Sequence, residues 1–212
     1  MIVYATSVLA GLLFANAFEW FAHKYVLHGT RTPQGRKSPR PTSMKSHWAH
    51  HKLVRTSDFH DEAYLEGYGH WRIKNEVNSL LALCLLTSLA LPFAPLFTLA
   101  TWYSAGQYFR KHRKAHLNPA WAKANLPWHY DHHMNANQDA NWCVTRPWFD
   151  YLMGTRVITS ADLQESNPLG IALPKVVEAP LNRWVRRLSP STYARLEAAG
   201  ETTADIPATD RA

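Results

Sequence analysis

The chain has 212 residues, enough for one ordinary domain with a sizeable core or at most two small ones. Its net charge of +7 admits nucleic acid as a partner, but the basic run between residues 20 and 57 directly follows an apolar helix. Positive charge that flanks a membrane segment is therefore the preferred interpretation. The two cysteines, Cys84 and Cys143, exclude a disulfide framework and a thiolate metal site.

The first predicted element is an apolar helix from Ile2 to Ala22. At 1.5 Å per residue it is about 33 Å long, which matches a hydrocarbon core of about 30 Å. Basic residues follow this run instead of preceding it, so the sequence predicts a retained membrane helix and not a cleaved signal peptide. The residues after Gly29 are rich in Pro, Ser, Arg and Gly and predict a solvated loop. Ser43 or Ser46 is then expected to cap the next helix.

The second apolar stretch runs from Val77 to Phe109 without a charged side chain. One continuous helix of this length would measure about 50 Å, and Pro92 and Pro95 lie at its middle. The stretch is therefore either a tilted, kinked span or a helical hairpin whose tip carries the prolines. Basic residues flank both ends, which places both ends in the cytoplasm and favours the hairpin. In that topology all the histidine motifs lie on one face of the membrane.

Ten of the twelve histidines are concentrated in four short motifs: HX4H, HX2HH, HX3H and a second HX2HH. Residues three and four apart share one face of a helix, so each HX2HH cluster presents its imidazoles together. The HX4H pair is about 140° apart on an ideal helix, and Gly29 is expected to end that helix and turn the second histidine inward. The motif histidines are His23, His28, His47, His50, His51, His112, His116, His129, His132 and His133.

These histidines predict a metal site that holds two ions. Neutral imidazole is a common ligand of Fe, Zn, Cu and Ni, and ten such ligands exceed what one ion accepts. A structural zinc site would normally include cysteine, and a zinc deaminase would need motifs that are absent from the sequence. Glu19, Asp131 and Asn141 are candidates to hold the imidazoles in position through hydrogen bonds. His60 and His70 lie outside the motifs and are not expected to be ligands.

The motifs HKYVLH, HWAHH, HRKAH and HYDHH, followed by NWCVTRPWFDYLMGT, resemble the fatty acid hydroxylase superfamily, which includes sterol desaturases and fatty acid 2-hydroxylases. The resemblance covers roughly residues 18 to 156. It implies an all-α integral membrane enzyme in which the ten motif histidines hold two iron ions on the cytoplasmic side, with zinc possible in a purified or crystallised form. The sequence departs from the pattern in two places. HRKAH has HX3H spacing where the related β-carotene hydroxylases usually have HX4H, and a single apolar helix precedes the first motif where members usually carry a hairpin.

The leading hypothesis is an O2-dependent hydroxylase or desaturase of a membrane lipid. The chain has no flavin or nicotinamide motif, so a separate protein must donate electrons. The alternatives are a carotenoid hydroxylase-type enzyme, a metal-dependent hydrolase or lyase on the same scaffold, and a non-catalytic membrane protein that binds or transports metal. The bacterial inner membrane is expected over the endoplasmic reticulum. We expect the hydroxylase domain over residues 1–159 and a partly disordered extension over residues 160–212, in which Leu181 to Leu188 predicts a basic interfacial helix.

Overall fold

The computed structural model describes residues 2–29, 42–188 and 190. The secondary structure of these residues is helical without any strand, which confirms the predicted all-α class. The predicted loop after Gly29 and the predicted disordered end from Gly200 lie outside the described residues. The α-helices are α1 Ile2–Phe21, α2 Thr42–Thr56, α3 Ala63–Glu66, α4 Trp71–Ser88, α5 Pro95–Leu117, α6 Pro119–Asn125, α7 Pro127–Met134, α8 Trp148–Leu152 and α9 Lys175–Leu188. A π-helix, Ala22–Leu27, continues α1, and short 3₁₀ turns lie at Gly67–Gly69 and Ala161–Leu163.

The second apolar stretch is a helical hairpin, as the flanking basic residues predict. α4 ends at Ser88 and α5 begins at Pro95, so the chain reverses around Pro92. Close to this tip, the indole nitrogen of Trp102 on α5 donates a hydrogen bond to the carbonyl of Cys84 on α4 at 3.1 Å. The two helices are therefore antiparallel. Proline at the first position of α5 costs no hydrogen bond, because the amide of that position has no partner within a helix.

α1 packs along α5, and Gly11 lies where the two helices cross. A Cβ atom at this position would clash with the carbonyl oxygen of Phe97 and would lie 2.8 Å from the Cβ atom of Ala100. Beside the crossing, the rings of Phe14 and Phe97 pack with centroids 5.3 Å apart. Close approach of helices through small residues is a common packing mode within membranes. Since α4 also packs on α5, these three helices form one unit with α5 at its centre.

By length and composition, one helical stretch within the described residues can cross a membrane, namely Ile2–Leu27. Only a small part of its most apolar window is buried inside the protein. The two legs of the hairpin do not meet the same requirement of length and apolarity.

The remaining helices cover the end of this unit that carries the histidines. α2 begins at Thr42, before both Ser43 and Ser46, so neither serine precedes the helix as its cap. The segment after α8 is packed onto this end through Arg156, which is buried and ion-paired with Asp131 at 3.2 Å and with Glu165 at 2.7 Å. Residues on both sides of the predicted boundary at residue 159 therefore share one ion-pair network.

Candidate metal centre

All ten motif histidines lie in one cluster at the end of the three-helix unit, and nine of them are buried. The ligand nitrogens of nine of the ten form two groups, within each of which they are no more than 4.8 Å apart. Group one consists of His23, His28, His47, His51 and His132, and group two of His50, His112, His116 and His133. The tenth, His129, lies beside group two with its Nε2 atom 3.3 Å from that of His116. His60 and His70 belong to neither group.

Two helices contribute to both groups. On α2, His47 and His51 contact group one and His50 contacts group two, and on α7 His132 and His133 are divided in the same way. Neighbouring residues on an α-helix point about 100° apart, so adjacent histidines belong to different groups. The HX2HH motif presents its imidazoles on one side of the helix, as predicted, but that side faces both histidine groups.

The HX4H pair reaches group one through the π-helix. The amide of His28 donates a hydrogen bond to the carbonyl of His23 at 3.0 Å, which is the i to i+5 pattern of a π-helix. The wider turn brings residues five apart to the same side, and the two imidazole rings lie 5.1 Å apart. Gly29 follows with φ of +75°, a conformation that glycine adopts without strain. The π-helix, and not the turn at Gly29 that the sequence predicts, therefore aligns the pair. Single π-turns within helices are frequent at functional sites.

Backbone carbonyl groups hold three of the imidazoles from outside. The pairs are His23 with the carbonyl of Trp142 at 2.5 Å, His116 with that of Phe59 at 2.9 Å, and His132 with that of Ala140 at 2.6 Å. In each case the imidazole atom is Nδ1. A carbonyl oxygen can only accept a hydrogen bond, so the proton lies on Nδ1 and the Nε2 lone pair points into the cluster.

A buried carboxylate, Asp61, holds His50 in the same orientation. Its Oδ2 atom lies 2.7 Å from Nδ1 of His50, and Arg72 donates two hydrogen bonds to the carboxylate at 2.8 and 3.0 Å. Burial alone would raise the pKa of Asp61, but the bond to His50 and the charge of Arg72 lower it to about 2. Asp61 is therefore ionised, and the proton of the shared hydrogen bond belongs to His50.

Three further side chains contact imidazoles of the two groups. Glu76 lies 2.8 Å from Nδ1 of His112, and the hydroxyl of Tyr64 donates to Glu76 at 2.7 Å. In group one, the NH2 group of Gln138 donates a hydrogen bond to the carbonyl of His133 at 3.2 Å and lies 3.0 Å from Nδ1 of His51. The hydrogen bond between Glu76 and His112 fixes the tautomer and orientation of that imidazole, with its proton on Nδ1. Sequence reasoning missed Asp61, Glu76, Tyr64 and Gln138, because none of them lies within a histidine motif.

The three residues that the sequence suggested for this role make their hydrogen bonds elsewhere. Glu19 accepts from the amide of Thr145 at 2.8 Å and from its hydroxyl at 2.6 Å. Asp131 and Asn141 each accept from Arg156 at 3.2 Å. These contacts fasten the segment after the last motif to α1 and α7. Within the described residues, Glu19, Asp131 and Asn141 thus support the polypeptide around the centre and not the imidazoles themselves.

The tautomers of His50 and His116 are compatible with a metal ion between their Nε2 atoms. Both His50 and His116 carry their proton on Nδ1, and burial lowers the pKa of His50, which keeps it neutral. Their Nε2 atoms are nevertheless only 3.1 Å apart. Two lone pairs facing each other at this distance repel, whereas a metal ion between them would accept both. Burial likewise lowers the pKa values of His51, His132 and His133, so these imidazoles are also in the neutral form that binds metal.

The distances also fit metal ligation. Two imidazole nitrogens bound to one ion at about 2.1 Å lie about 3.0 to 3.4 Å apart for bond angles of about 90° to 110°. The observed Nε2 to Nε2 separations are 3.1 Å for His23 with His47, 3.1 Å for His50 with His116 and 3.2 Å for His132 with His51. In addition, both nitrogens of His133 and Nδ1 of His129 are buried without a hydrogen-bond partner among the described residues. The residues of both groups therefore fit a metal ion.

A cavity of about 350 Å³ lies between α1, α4 and α5 and ends at the histidines. Most of its walls are apolar. Tyr108 also lines it, and its ring lies 5.4 Å from that of His112. The apolar wall residues include Phe18, Val26, Leu27, Leu80 and Leu83, and the histidines are His23, His47, His50 and His112. The centre is therefore accessible from an apolar space.

Comparison with family models, with curated proteins and with solved structures found no match to this chain. The site geometry shows two buried histidine groups that can each hold a metal ion.

Proposed function

We propose that this protein is a membrane-bound, O2-dependent lipid hydroxylase or desaturase with two iron ions, of the superfamily that its motifs resemble. The observation that carries the proposal is the pair of all-histidine groups at the end of an apolar cavity. Neither Cys84 nor Cys143 belongs to a group, which disfavours a structural zinc site. When bound, the two irons would supply the O2-dependent oxidation of an unactivated C–H bond.

The distribution of apolar surface supports insertion into a membrane. The tip of the hairpin exposes large apolar side chains, among them Leu85, Leu89 and Phe93, at the end of the unit opposite the histidines. Water-exposed apolar patches of this kind are unfavourable in a soluble monomer. The apolar segment Ile2–Leu27 carries His23, a member of group one, near its C-terminal end. Basic residues at the histidine end favour the cytoplasmic side, in a bacterial inner membrane.

The cavity provides the route by which a lipid would reach the centre. α1 and α4 both pack on α5, and the cavity lies in the space between them. In the proposed orientation, an alkyl chain or ring would enter this space from the hydrocarbon core. Phe18 and Leu83 are placed to fix its orientation by contact, and the hydroxyl of Tyr108 is available to an oxygen atom of the lipid. Acyl chains, sterols and carotenoids all have parts that satisfy these contacts.

The carboxylates around the centre keep the imidazoles ready to bind metal. Asp61 and Glu76 hold the proton of His50 and His112 on Nδ1, so the Nε2 lone pairs remain available. A carboxylate partner also raises the basicity of the imidazole it contacts. We therefore expect these two carboxylates to keep the protons on Nδ1 of His50 and His112 and not to transfer a proton to the lipid.

Electrons would come from a separate protein that binds the basic face near group two. Lys52 and Arg55 are exposed on α2, and Arg55 donates a hydrogen bond to the carbonyl of His133 at 3.0 Å. A net charge of +7 favours an acidic partner, because opposite charges accelerate association. Turnover supported by an acidic donor should therefore fall as ionic strength rises.

The function is tested by lipid mass spectrometry of cells that produce the protein. Lipids that gain one oxygen atom, or lose two hydrogen atoms, should appear in aerobic cells with the intact protein. They should be absent with His132→Ala, because this change removes a ligand of group one. His70→Asn is the matched control, since His70 lies outside both groups and caps α4, a role that Asn can take over.

The dependence on O2 separates the proposal from its alternatives. A lipid product that forms equally well without O2 would contradict the oxygenase and favour the hydrolase or lyase. Metal binding by the intact protein without any change in the lipids would favour a binding or transport protein. If His132→Ala formed as much product as the intact protein, the histidine groups would not be required for the reaction.

A further inference from the structure

The last described helix, α9, carries an apolar strip that the other described residues leave uncovered. Trp184 is 59% exposed and Leu188 63% exposed, and Val177, seven residues before Trp184, lies on the same side. The neighbouring side of the helix is fixed to the protein, because Leu181 and Val185 pack in a small core with Tyr151 and Ile158. The strip is therefore held in a defined position at the surface.

Basic residues border this strip. Arg183 and Arg187 are exposed, and they lie four residues apart on one edge of it. α9 contains four basic residues and a single acidic one, Glu178, which accepts a hydrogen bond from Asn167 at 2.9 Å. A helix with Trp and Leu on one side, and arginines beside them, is typical of helices that lie in the headgroup region of a bilayer.

The position of α9 points to lipid as the occupant and not to a protein. α9 is attached to α8 through Tyr151, and α8 is bound to the final turns of α1. There the amide of Phe149 donates to Asn16 at 3.1 Å, and the indole nitrogen of Trp20 donates to the hydroxyl of Thr155 at 2.9 Å. These are the turns at which the apolar helix would leave the hydrocarbon core.

The end of α8 adds a second apolar patch at this level. Leu152 and Met153 are 71% and 51% exposed. We propose that α9 lies on the surface of the bilayer, on the side of the metal centre, where its apolar strip enters the headgroup region and Arg183 and Arg187 bind the phosphates of anionic phospholipids. This surface contact rests on the proposed insertion of α1 into a membrane, but it does not depend on the proposed oxidation chemistry.

The test uses the full chain in vesicles made with and without anionic phospholipid. Trp184→Cys in a Cys84→Ala background is labelled with a fluorophore that reports polarity, and Cys143 is buried and stays unlabelled. The fluorescence emission of the label should shift to the blue and should be quenched by lipids that carry a quencher. Both effects should be stronger in vesicles that contain anionic phospholipid. Ala124→Cys, at an exposed position of α6, is the matched control and should remain in water.

Removal of the two charges tests the role of the arginines. Arg183→Gln with Arg187→Gln should lower the ratio of lipid-bound to free α9 about 30-fold in anionic vesicles, since each arginine near such a surface contributes about fivefold. An unchanged thermal unfolding temperature would show that these variants remain folded.

Two results would overturn the proposal. One is a label at position 184 that stays as exposed to water as the label at position 124 in every vesicle. The other is a blue shift that persists in detergent without phospholipid and is accompanied by crosslinking between two labelled chains, because the strip would then be covered by a second copy.

Discussion

Replacement of Asp61 by Asn is expected to weaken metal binding at group two. Asp61 is buried and accepts hydrogen bonds from His50 at 2.7 Å, from Arg72 at 2.8 and 3.0 Å, and from the amide of Ala63 at 3.0 Å. Asn has a single acceptor oxygen, so its NH2 group must face a donor on His50 or Arg72. If the NH2 group faces His50, the contact that keeps the His50 proton on Nδ1 is lost; if the oxygen faces His50, the hydrogen bond remains but the negative charge of the carboxylate is gone.

The loss of such an outer partner typically lowers metal affinity about 10- to 100-fold, or about 1.4 to 2.8 kcal/mol. Affinity is measured by competition with a chromophoric chelator in detergent. Asp162→Asn is the matched control, because Asp162 is 75% exposed and lies 3.5 Å from the ammonium group of Lys123, a surface pair of little energetic weight. This control should bind metal as tightly as the intact protein.

Asp61→Asn also leaves the guanidinium of Arg72 without its carboxylate, in a side chain that is only 11% exposed. The resulting loss of folding stability must be separated from the loss of affinity. The double variant Asp61→Asn with Arg72→Met should recover thermal stability but not metal affinity. If Asp61→Asn binds metal as tightly as Asp162→Asn does, the assignment of Asp61 as the residue that orients His50 is refuted.

Three further predictions concern pH, helix packing and the backbone around the centre. Burial lowers the pKa of His132 well below 6.5, so below about pH 6.5 this histidine binds a proton in the unfolded chain but not in the folded one. Each such histidine should therefore lower the unfolding free energy of the metal-free protein by about 1.4 kcal/mol for every pH unit below about 6.5. Thermal unfolding in the presence of a chelator at two pH values measures this loss. Gly11→Leu should separate α1 from α5 and lower the unfolding temperature in detergent, whereas Gly106→Leu should not, because a Cβ atom at Gly106 meets no atom within 4 Å. Asp150 accepts hydrogen bonds at 2.8 Å from the amides of Trp142 and Cys143, and the carbonyl of Trp142 in turn accepts a hydrogen bond from His23. Asp150→Asn should therefore speed metal loss from group one about tenfold, which is measured by trapping the released metal with a chelator.

The sequence predicts the fold to the extent that local signals specify it. Pro92 and Pro95, with basic residues at both ends of the apolar run, are sufficient for the hairpin. The sequence does not predict that α4 begins at Trp71, because the polar residues between Trp71 and Val77 conceal the start of the helix. It also does not indicate the π-helix at Ala22–Leu27, since a periodic pattern cannot distinguish a wider turn from a helix that ends.

The ten candidate ligands could be named because each lies in a short motif, but the hydrogen bonds that orient them could not. Glu76 comes next to His112 only because α4 packs antiparallel to α5, a contact between residues 36 positions apart. Phe59 is the least predictable contributor. It adopts a left-handed conformation with φ of +70°, stacks its ring 4.4 Å from that of His116 and accepts a hydrogen bond from the same imidazole. An apolar residue in this strained conformation depends on its surroundings, which the sequence does not show.

The central claim is that the two adjacent histidine groups each hold one metal ion. The most direct test is the metal content per chain, measured by elemental analysis of protein purified from membranes and reconstituted with iron without O2. We predict two ions in the intact protein, and one in the variant His112→Ala with His116→Ala, which removes two ligands from group two and none from group one. A single ion in the intact protein, or complete loss of metal in that variant, would contradict the two-group account.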